Sequence, residues 1–143
     1  MQMTPDKKKN KLYIVVPCYN EEQVLGETSK RLKIKCENLI QKGQISKDSK
    51  IVFVDDGSKD RTWKMISELH ETDSLFSGVK LSRNRGHQNA LLAGLTMASE
   101  HADMAISMDA DLQDDINAVD QMIEKYYEGC DIVYGVRSAR ETD

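Results

Sequence analysis

Residues 50–62 read Lys50-Ile51-Val52-Phe53-Val54-Asp55-Asp56-Gly57-Ser58-Lys59-Asp60-Arg61-Thr62. Lys50 to Asp55 (KIVFVD) reads as a strand: its apolar centre, Ile51 to Val54, has no polar alternation, as in a strand covered on both faces. It stops at two carboxylates and a glycine, and Ser58 is placed to cap a helix running from Lys59 to about His70. A buried strand that hands its chain to a helix through a short polar turn is half of a βαβ unit.

The same cycle recurs on either side. Leu12 to Cys18 (LYIVVPC) is a second such strand. From Glu21 to about Lys42, Val24, Leu25, Leu32, Leu39 and Ile40 recur at near-helical spacing, with a break expected around Lys33 to Lys35 and a stop at Gly43. Downstream, Ser77 to Leu81 reads as a strand and Gly86 to Glu100 as a helix. Met104 to Met108 is the next strand, Ile116 to Tyr127 a helix closing at Gly129, and Asp131 to Gly135 a fifth strand. Strands alternating with helices of this length predict an α/β fold, a mainly parallel sheet joined by right-handed crossovers with helices on both faces. The organisation expected is a disordered basic leader over residues 1–11, carrying Lys7, Lys8, Lys9 and Lys11, followed by one domain over 12–143.

The chain has 143 residues, a formal net charge of −4, and 39% hydrophobic and 31% charged residues. That balance argues against a general nucleic-acid binder, which carries an excess of Lys and Arg on one face. No apolar stretch approaches the ~20 residues of a membrane-spanning helix. No signal-peptide core follows the leader, and the three cysteines, Cys18, Cys36 and Cys130, form no Cys-x-x-Cys pair. They read as packed thiols in a reducing, cytoplasmic setting.

In such sheets ligands bind beyond the carboxyl ends of the strands, and that rim collects the unusual polar residues. Asp109 and Asp111 lie two apart where the fourth strand leaves the sheet. If the extended geometry persists, both side chains project to one side and can share a hard cation with substrate phosphates. The competing reading is a solvated turn capping the next helix. Asp55 and Asp56 are suited to accept hydrogen bonds from ribose hydroxyls or a base N–H, and Gly57 permits close backbone approach; equally, all three are ordinary turn residues. Asp60 reads as structural, near a helix start.

Pro17-Cys18-Tyr19-Asn20-Glu21 offers a fixed turn, an aromatic face and polar tips, as a nucleobase pocket requires, with core packing of Tyr19 the alternative. Arg83-Asn84-Arg85-Gly86-His87 precedes a helix N-terminus, where backbone N–H groups and guanidiniums favour anions. Arg137 and Arg140 are placed to clamp a phosphate or to form a solvated tail. Neither a P-loop nor a dinucleotide-binding glycine fingerprint is present.

Taken together, VPCYNEE (16–22), VDDGSKDRT (54–62), SRNRGHQNALLAGL (82–95), MDADLQDD (108–115) and VYGVRSAR (133–140) resemble the family 2 glycosyltransferases, and within them the polyprenyl-phosphate branch of the dolichyl-phosphate mannose synthase type. The resemblance covers nearly the whole chain after the leader. It implies a GT-A-type nucleotide-binding fold, a UDP- or GDP-sugar donor and a Mg²⁺ or Mn²⁺ ion. It implies that Pro17, Tyr19, Asn20 and Glu21, with Asp55, Asp56, Arg83, Asp109 and Ala110, hold the nucleotide. Asp109, Asp111 and Gln113 would hold the metal and diphosphate, and Arg137 would meet the acceptor phosphate. Members of this branch continue well past the fifth strand, often into transmembrane helices, so the chain is expected to be a fragment of an inverting enzyme working at the cytoplasmic membrane face, its membrane association supplied by those further segments. The alternatives are an inactive donor-binding fragment, a soluble enzyme acting on a polysaccharide, a nucleotidyltransferase, and a regulatory module phosphorylated on Asp55 or Asp56. A nucleotidyltransferase usually carries a Gly-rich basic loop where this chain has Tyr19-Asn20-Glu21.

Overall fold

A computed structural model describes residues 10–112 and 116–128. The expected fifth strand, the closing Gly129, and Gln113, Cys130, Arg137 and Arg140 lie outside the described residues. The chain runs β1 (Leu12–Cys18), α1 (Leu25–Gln41), β2 (Lys50–Asp55), α2 (Thr62–Thr72), β3 (Phe76–Lys80), α3 (His87–His101), β4 (Met104–Ser107) and α4 (Ala118–Tyr127). The four strands form one parallel sheet in the order β3-β2-β1-β4.

The two-residue period of the strands sorts their side chains onto two faces. Leu12, Ile14 and Val16 of β1, with Ile51 and Phe53 of β2, pack beneath α1, α2 and α4 through Leu25, Leu32, Leu39, Ile66, Val119 and Ile123. Tyr13, Val15, Val52 and Val54 point the other way, onto α3 through Ala90 and Ala98. On that face Gly94 lets the helix sit directly on the sheet, since a Cβ there would run into Val15 Cγ1 and lie 2.9 Å from Val54 Cγ2. Cys18 and Cys36 are buried free thiols.

Element boundaries differ most from the periodicity at the starts of α1 and α2, the others shifting by one or two residues. Helix α2 begins at Thr62, not Lys59, because Asp60 Oδ1 accepts from both Thr62 N (2.9 Å) and Thr62 Oγ1 (2.6 Å). The expected cap, Ser58, faces elsewhere: its hydroxyl accepts from Asn20 N at 2.9 Å. Helix α1 starts at Leu25, after a turn in which Val24 N and Leu25 N both donate to Glu21 O. It runs unbroken through Lys33 and Lys35, whose ammonium groups pair at 2.7 Å with Asp73 and with Asp120, at the end of α2 and in α4. Asn10 and Lys11 are held as well, Lys11 N by Asp103 Oδ2 at 2.8 Å and Asn10 O by Ser46 N. Among the described residues no helix is long and apolar enough to cross a membrane.

Gly26 faces solvent in the first turn of α1, and a Cβ there would meet nothing within 4 Å. Gly26→Ala is therefore expected to stabilise the fold by about 0.5 kcal/mol, through the lower entropy of the unfolded chain and better helix propensity. The check is a rise in the denaturant midpoint at unchanged slope.

Candidate active site

Strand order places the site. From β1 to β2 to β3 the chain steps steadily to one side, and after β3 it crosses back over the sheet to lay β4 on the far side of β1. Helices α1, α2 and α4 lie on one face and α3 on the other, so a crevice opens at the carboxyl ends of the strands, between the loops leaving β1 and β4 and the start of α3, the usual binding place in such sheets. A cavity of about 540 Å³ lies there. The β1 loop contributes Pro17, Cys18, Tyr19 and Glu21; the β2 loop contributes Asp56; the β4 loop contributes Asp109, Ala110 and Asp111. The fourth side comes from the start of α3, through Asn84, Gly86, His87 and Ala90.

The acidic turn does not keep strand geometry. β4 ends at Ser107, Met108 N still donates to Val15 O, and Leu112 N then closes a turn onto Asp109 O at 3.0 Å. Asp109 and Asp111 are the first and third residues of that turn, and they reach one cavity through its curvature instead of by strand alternation. Leu112 takes the strained φ of 52° that ends it.

The β1 loop is clipped to the β2 loop. Three successive amides, of Asn20, Glu21 and Glu22, donate to Ser58 Oγ (2.9 Å), Thr62 Oγ1 (2.8 Å) and Asp60 Oδ2 (3.2 Å). Asn20, at φ 52°, returns the bond by accepting Lys59 N on its Oδ1 at 2.8 Å. Its side chain thus serves the clip and does not line the cavity. The clip presents Tyr19, 41% exposed, beside the opening.

Asp56 ties in the remaining side. Its Oδ1 accepts Arg85 N at 2.7 Å and its Oδ2 accepts Gly86 N at 3.1 Å, which fixes the entry to α3. Gly57, at φ 73°, lies flat against the backbone of Arg83 and Asn84. The close approach read from this glycine is made to the chain's own backbone. Asp55 is fully buried behind the cavity, with Oδ1 accepting Ser58 N at 3.2 Å and Oδ2 without a partner among the described residues. Arg83 is exposed and lies outside the cavity lining. Asn84, Gly86, His87 and Ala90 line the cavity without having been assigned to it from the sequence, although the anion-suited segment Arg83 to His87 had marked the region. Cys18, read as a packed thiol within the Pro17 to Glu21 segment, lines the cavity as well.

The electrostatics of the cavity are acidic. Partial burial, then the charges of Asp111, Asp60 and Asp109, push the Glu21 carboxyl above the usual glutamate range. Asp60 goes the other way: burial would raise it, but hydrogen bonds from the Thr62 hydroxyl and from the Thr62 and Glu22 amides hold it below the usual range. A raised carboxyl pKa means that ionising Glu21 opposes folding. Glu21→Gln is accordingly expected to raise the unfolding temperature slightly at pH 7. That gain should vanish below the ordinary glutamate range, where Glu21 is itself neutral; thermal melts at the two pH values check it.

The chemistry of the donor set fits a hard divalent cation. Asp109, Asp111 and Glu21 bring carboxylate oxygens to one cavity, and the charges of Asp111 and Asp109 add to burial in raising the Glu21 carboxyl. Among the described residues no three His, Cys, Asp or Glu side chains close on one point. A cation here would draw its other donors from substrate phosphates and water, as Mg²⁺ and Mn²⁺ commonly do.

Comparison with known proteins bears on this arrangement. The sequence profile described as Glycosyl transferase family 2 matches residues 13–143. The chain belongs to glycosyl transferase family 2. This family 2 chain is 54% identical over 132 residues to the uncharacterized glycosyltransferase YkoT of Bacillus subtilis (strain 168), an alignment covering 92% of the chain and 39% of that protein. It is 36% identical over 140 residues to the undecaprenyl-phosphate 4-deoxy-4-formamido-L-arabinose transferase of Enterobacter sp. (strain 638), covering 97% of the chain and 40% of the relative. It thus spans about two-fifths of the length of these relatives. Among solved structures, the mannosyltransferase PcManGT of Pyrobaculum calidifontis, in complex with GDP-Man and Mn²⁺, superposes with a TM-score of 0.55 at 25% identity, over 72% of this chain and 28% of that one. The fold is accordingly of the GT-A type, with a parallel sheet flanked by helices on both faces.

Proposed function

We propose that this chain is the donor-binding part of an inverting glycosyltransferase that moves a sugar from a UDP- or GDP-sugar to a polyprenyl phosphate at the cytoplasmic face of a membrane. The observation that carries this reading is the meeting of Asp109, Asp111, Glu21 and Tyr19 in one cavity at the crossover point of the sheet. The acceptor named for the undecaprenyl-phosphate relative supports the acceptor class, and the GDP-Man complex of the structural neighbour supports the donor class.

In this reading Tyr19 offers its exposed ring to the nucleobase, and Pro17 fixes the turn beneath it. Asp56 holds the entry to α3 and lines the nucleoside end of the cavity, with Asn20 and Asp55 shaping it from behind. Arg83, at the loop before α3, offers a cation toward the phosphates. Asp109 and Asp111, with the Ala110 backbone between them and Gln113 beyond, hold the diphosphate end. A bound Mg²⁺ or Mn²⁺ supplies neutralisation of the negative charge that grows on the leaving diphosphate. Arg137 contacts the acceptor phosphate, whose oxygen is already ionised near neutral pH and needs no strong general base to attack the far side of the anomeric carbon. In this reading membrane attachment is the work of segments other than the donor-binding part.

Titration of UDP- and GDP-sugars against the chain, with and without Mn²⁺, tests the reading. Metal-dependent binding of one of them is expected; folded protein that binds neither in the presence of Mn²⁺ would overturn it.

A further inference from the structure

Thr28 sits in the second turn of α1, 2% exposed, in none of the five sequence motifs. Its hydroxyl donates to the carbonyl of Ala110, 82 residues away and between the two aspartates. Hydroxyls inside helices ordinarily turn back onto their own backbone. Its neighbour Ser29 does so, donating to Gly26 O at 2.9 Å, as does Thr72 onto Glu68 O and Leu69 O at 3.1 Å. Thr28 instead reaches across to the acidic turn. Ala110 is itself 4% exposed, so with the Thr28 hydroxyl removed its carbonyl would face a nearly dry surrounding.

We infer that Thr28 is a positioning residue for the acidic turn, holding the Ala110 carbonyl so that Asp109 and Asp111 face one cation. The peptide that carries this carbonyl also carries the amide of Asp111. Fixing its rotation fixes the direction in which Asp111 leaves the turn, while the bond from Leu112 N to Asp109 O fixes the other end. Thr28 does not line the cavity. It acts through the turn, as outer-sphere partners act on metal ligands. The inference rests on the reading of Asp109 and Asp111 as the metal pair.

The experiment measures Mn²⁺ affinity by the loss of the free-ion electron paramagnetic resonance signal, with UDP or GDP present, and nucleotide affinity in EDTA. Thr28→Val and Thr28→Ala are each expected to weaken Mn²⁺ binding about 10-fold, with nucleotide affinity in EDTA unchanged. Thr28→Ser, which keeps the donor, should restore most of the loss. The alanine variant reads the same missing hydroxyl if the valine variant fails to fold. Wild-type Mn²⁺ affinity in both, or an equal loss with and without metal, would overturn the inference. Asp111→Asn is the control: if it leaves Mn²⁺ affinity unchanged, the metal-pair reading falls and the inference with it. If it abolishes binding while the Thr28 variants bind normally, only the inference falls.

Discussion

Gly57→Ala is expected to destabilise the fold by about 3 kcal/mol or more, the most damaging single-methyl addition among the changes considered. Two effects add. At φ 73° an L side chain is strained, by about 1–2 kcal/mol. The new Cβ would also lie 2.5 Å from Arg83 C and closer still to Asn84 N, both backbone atoms that cannot swing aside. Relief requires the Arg83 to Gly86 segment to lift away from β2. That segment is held by the two bonds to Asp56, so the damage should reach the cavity as well as the stability. A fall in the denaturant midpoint measures the first. If the midpoint moves by less than about 1 kcal/mol, the loop is more compliant than its packing suggests.

Asp111→Asn is expected to weaken metal-dependent donor binding by about 100-fold while leaving the unfolding midpoint within about 0.5 kcal/mol of wild type. Asparagine preserves the shape and the turn but removes one of the two charges that a cation at this position would need. It also removes the charge of Asp111 from the surroundings of Glu21, which lowers the Glu21 carboxyl toward its ordinary range. Isothermal titration with UDP- and GDP-sugars, with Mn²⁺ and with EDTA, separates the effects. A variant that binds donor as well as wild type in Mn²⁺ would reduce the acidic pair to a turn that leads the chain into α4.

Much of the fold was legible because parallel, doubly covered strands leave an unambiguous signal. Leu12 to Cys18 and Lys50 to Asp55 were bounded as the structure has them, since an apolar run ending in polar turn residues has little freedom over where it stops. Helix starts were less legible. Ser58 and Asp60 looked like cap and first-turn acid, but the Ser58 hydroxyl is taken by Asn20 N and Asp60 accepts from Glu22 N as well as from the nearby Thr62; the two partners on the β1 loop are ones that local spacing cannot reveal. The break expected at Lys33 to Lys35 does not occur: α1 runs through both lysines, which pair with Asp73 just past α2 and with Asp120 in α4.

The cavity followed the same division. Tyr19, Glu21, Asp56, Asp109 and Asp111 announced themselves as polar or aromatic residues at strand ends, and the structure brings them together. Asp55 and Asp56 are identical in type and adjacent in sequence, yet one lies wholly behind the cavity and the other lines it; strand alternation alone separates them. Thr28 gave no sequence signal, because a threonine inside an amphipathic helix is unremarkable until its hydroxyl is seen to cross the molecule.

The hydrogen bonds that shape the rim also impose an order on its assembly. The amides of Asn20, Glu21 and Glu22 find partners 38 or 41 residues further on, and Thr28 meets Ala110 across 82. Closing such loops must precede the contacts that reward it, which makes distant pairings slow. On a chain emerging from the ribosome, α1 can form while its threonine still has nothing to hold, the β1 loop stays open until Thr62 is out, and the acidic turn arrives after both. A nascent chain arrested before Asp109 would have the partners of its β1 loop and no acidic turn, so under the proposed function a donor would assist only the last stage of folding.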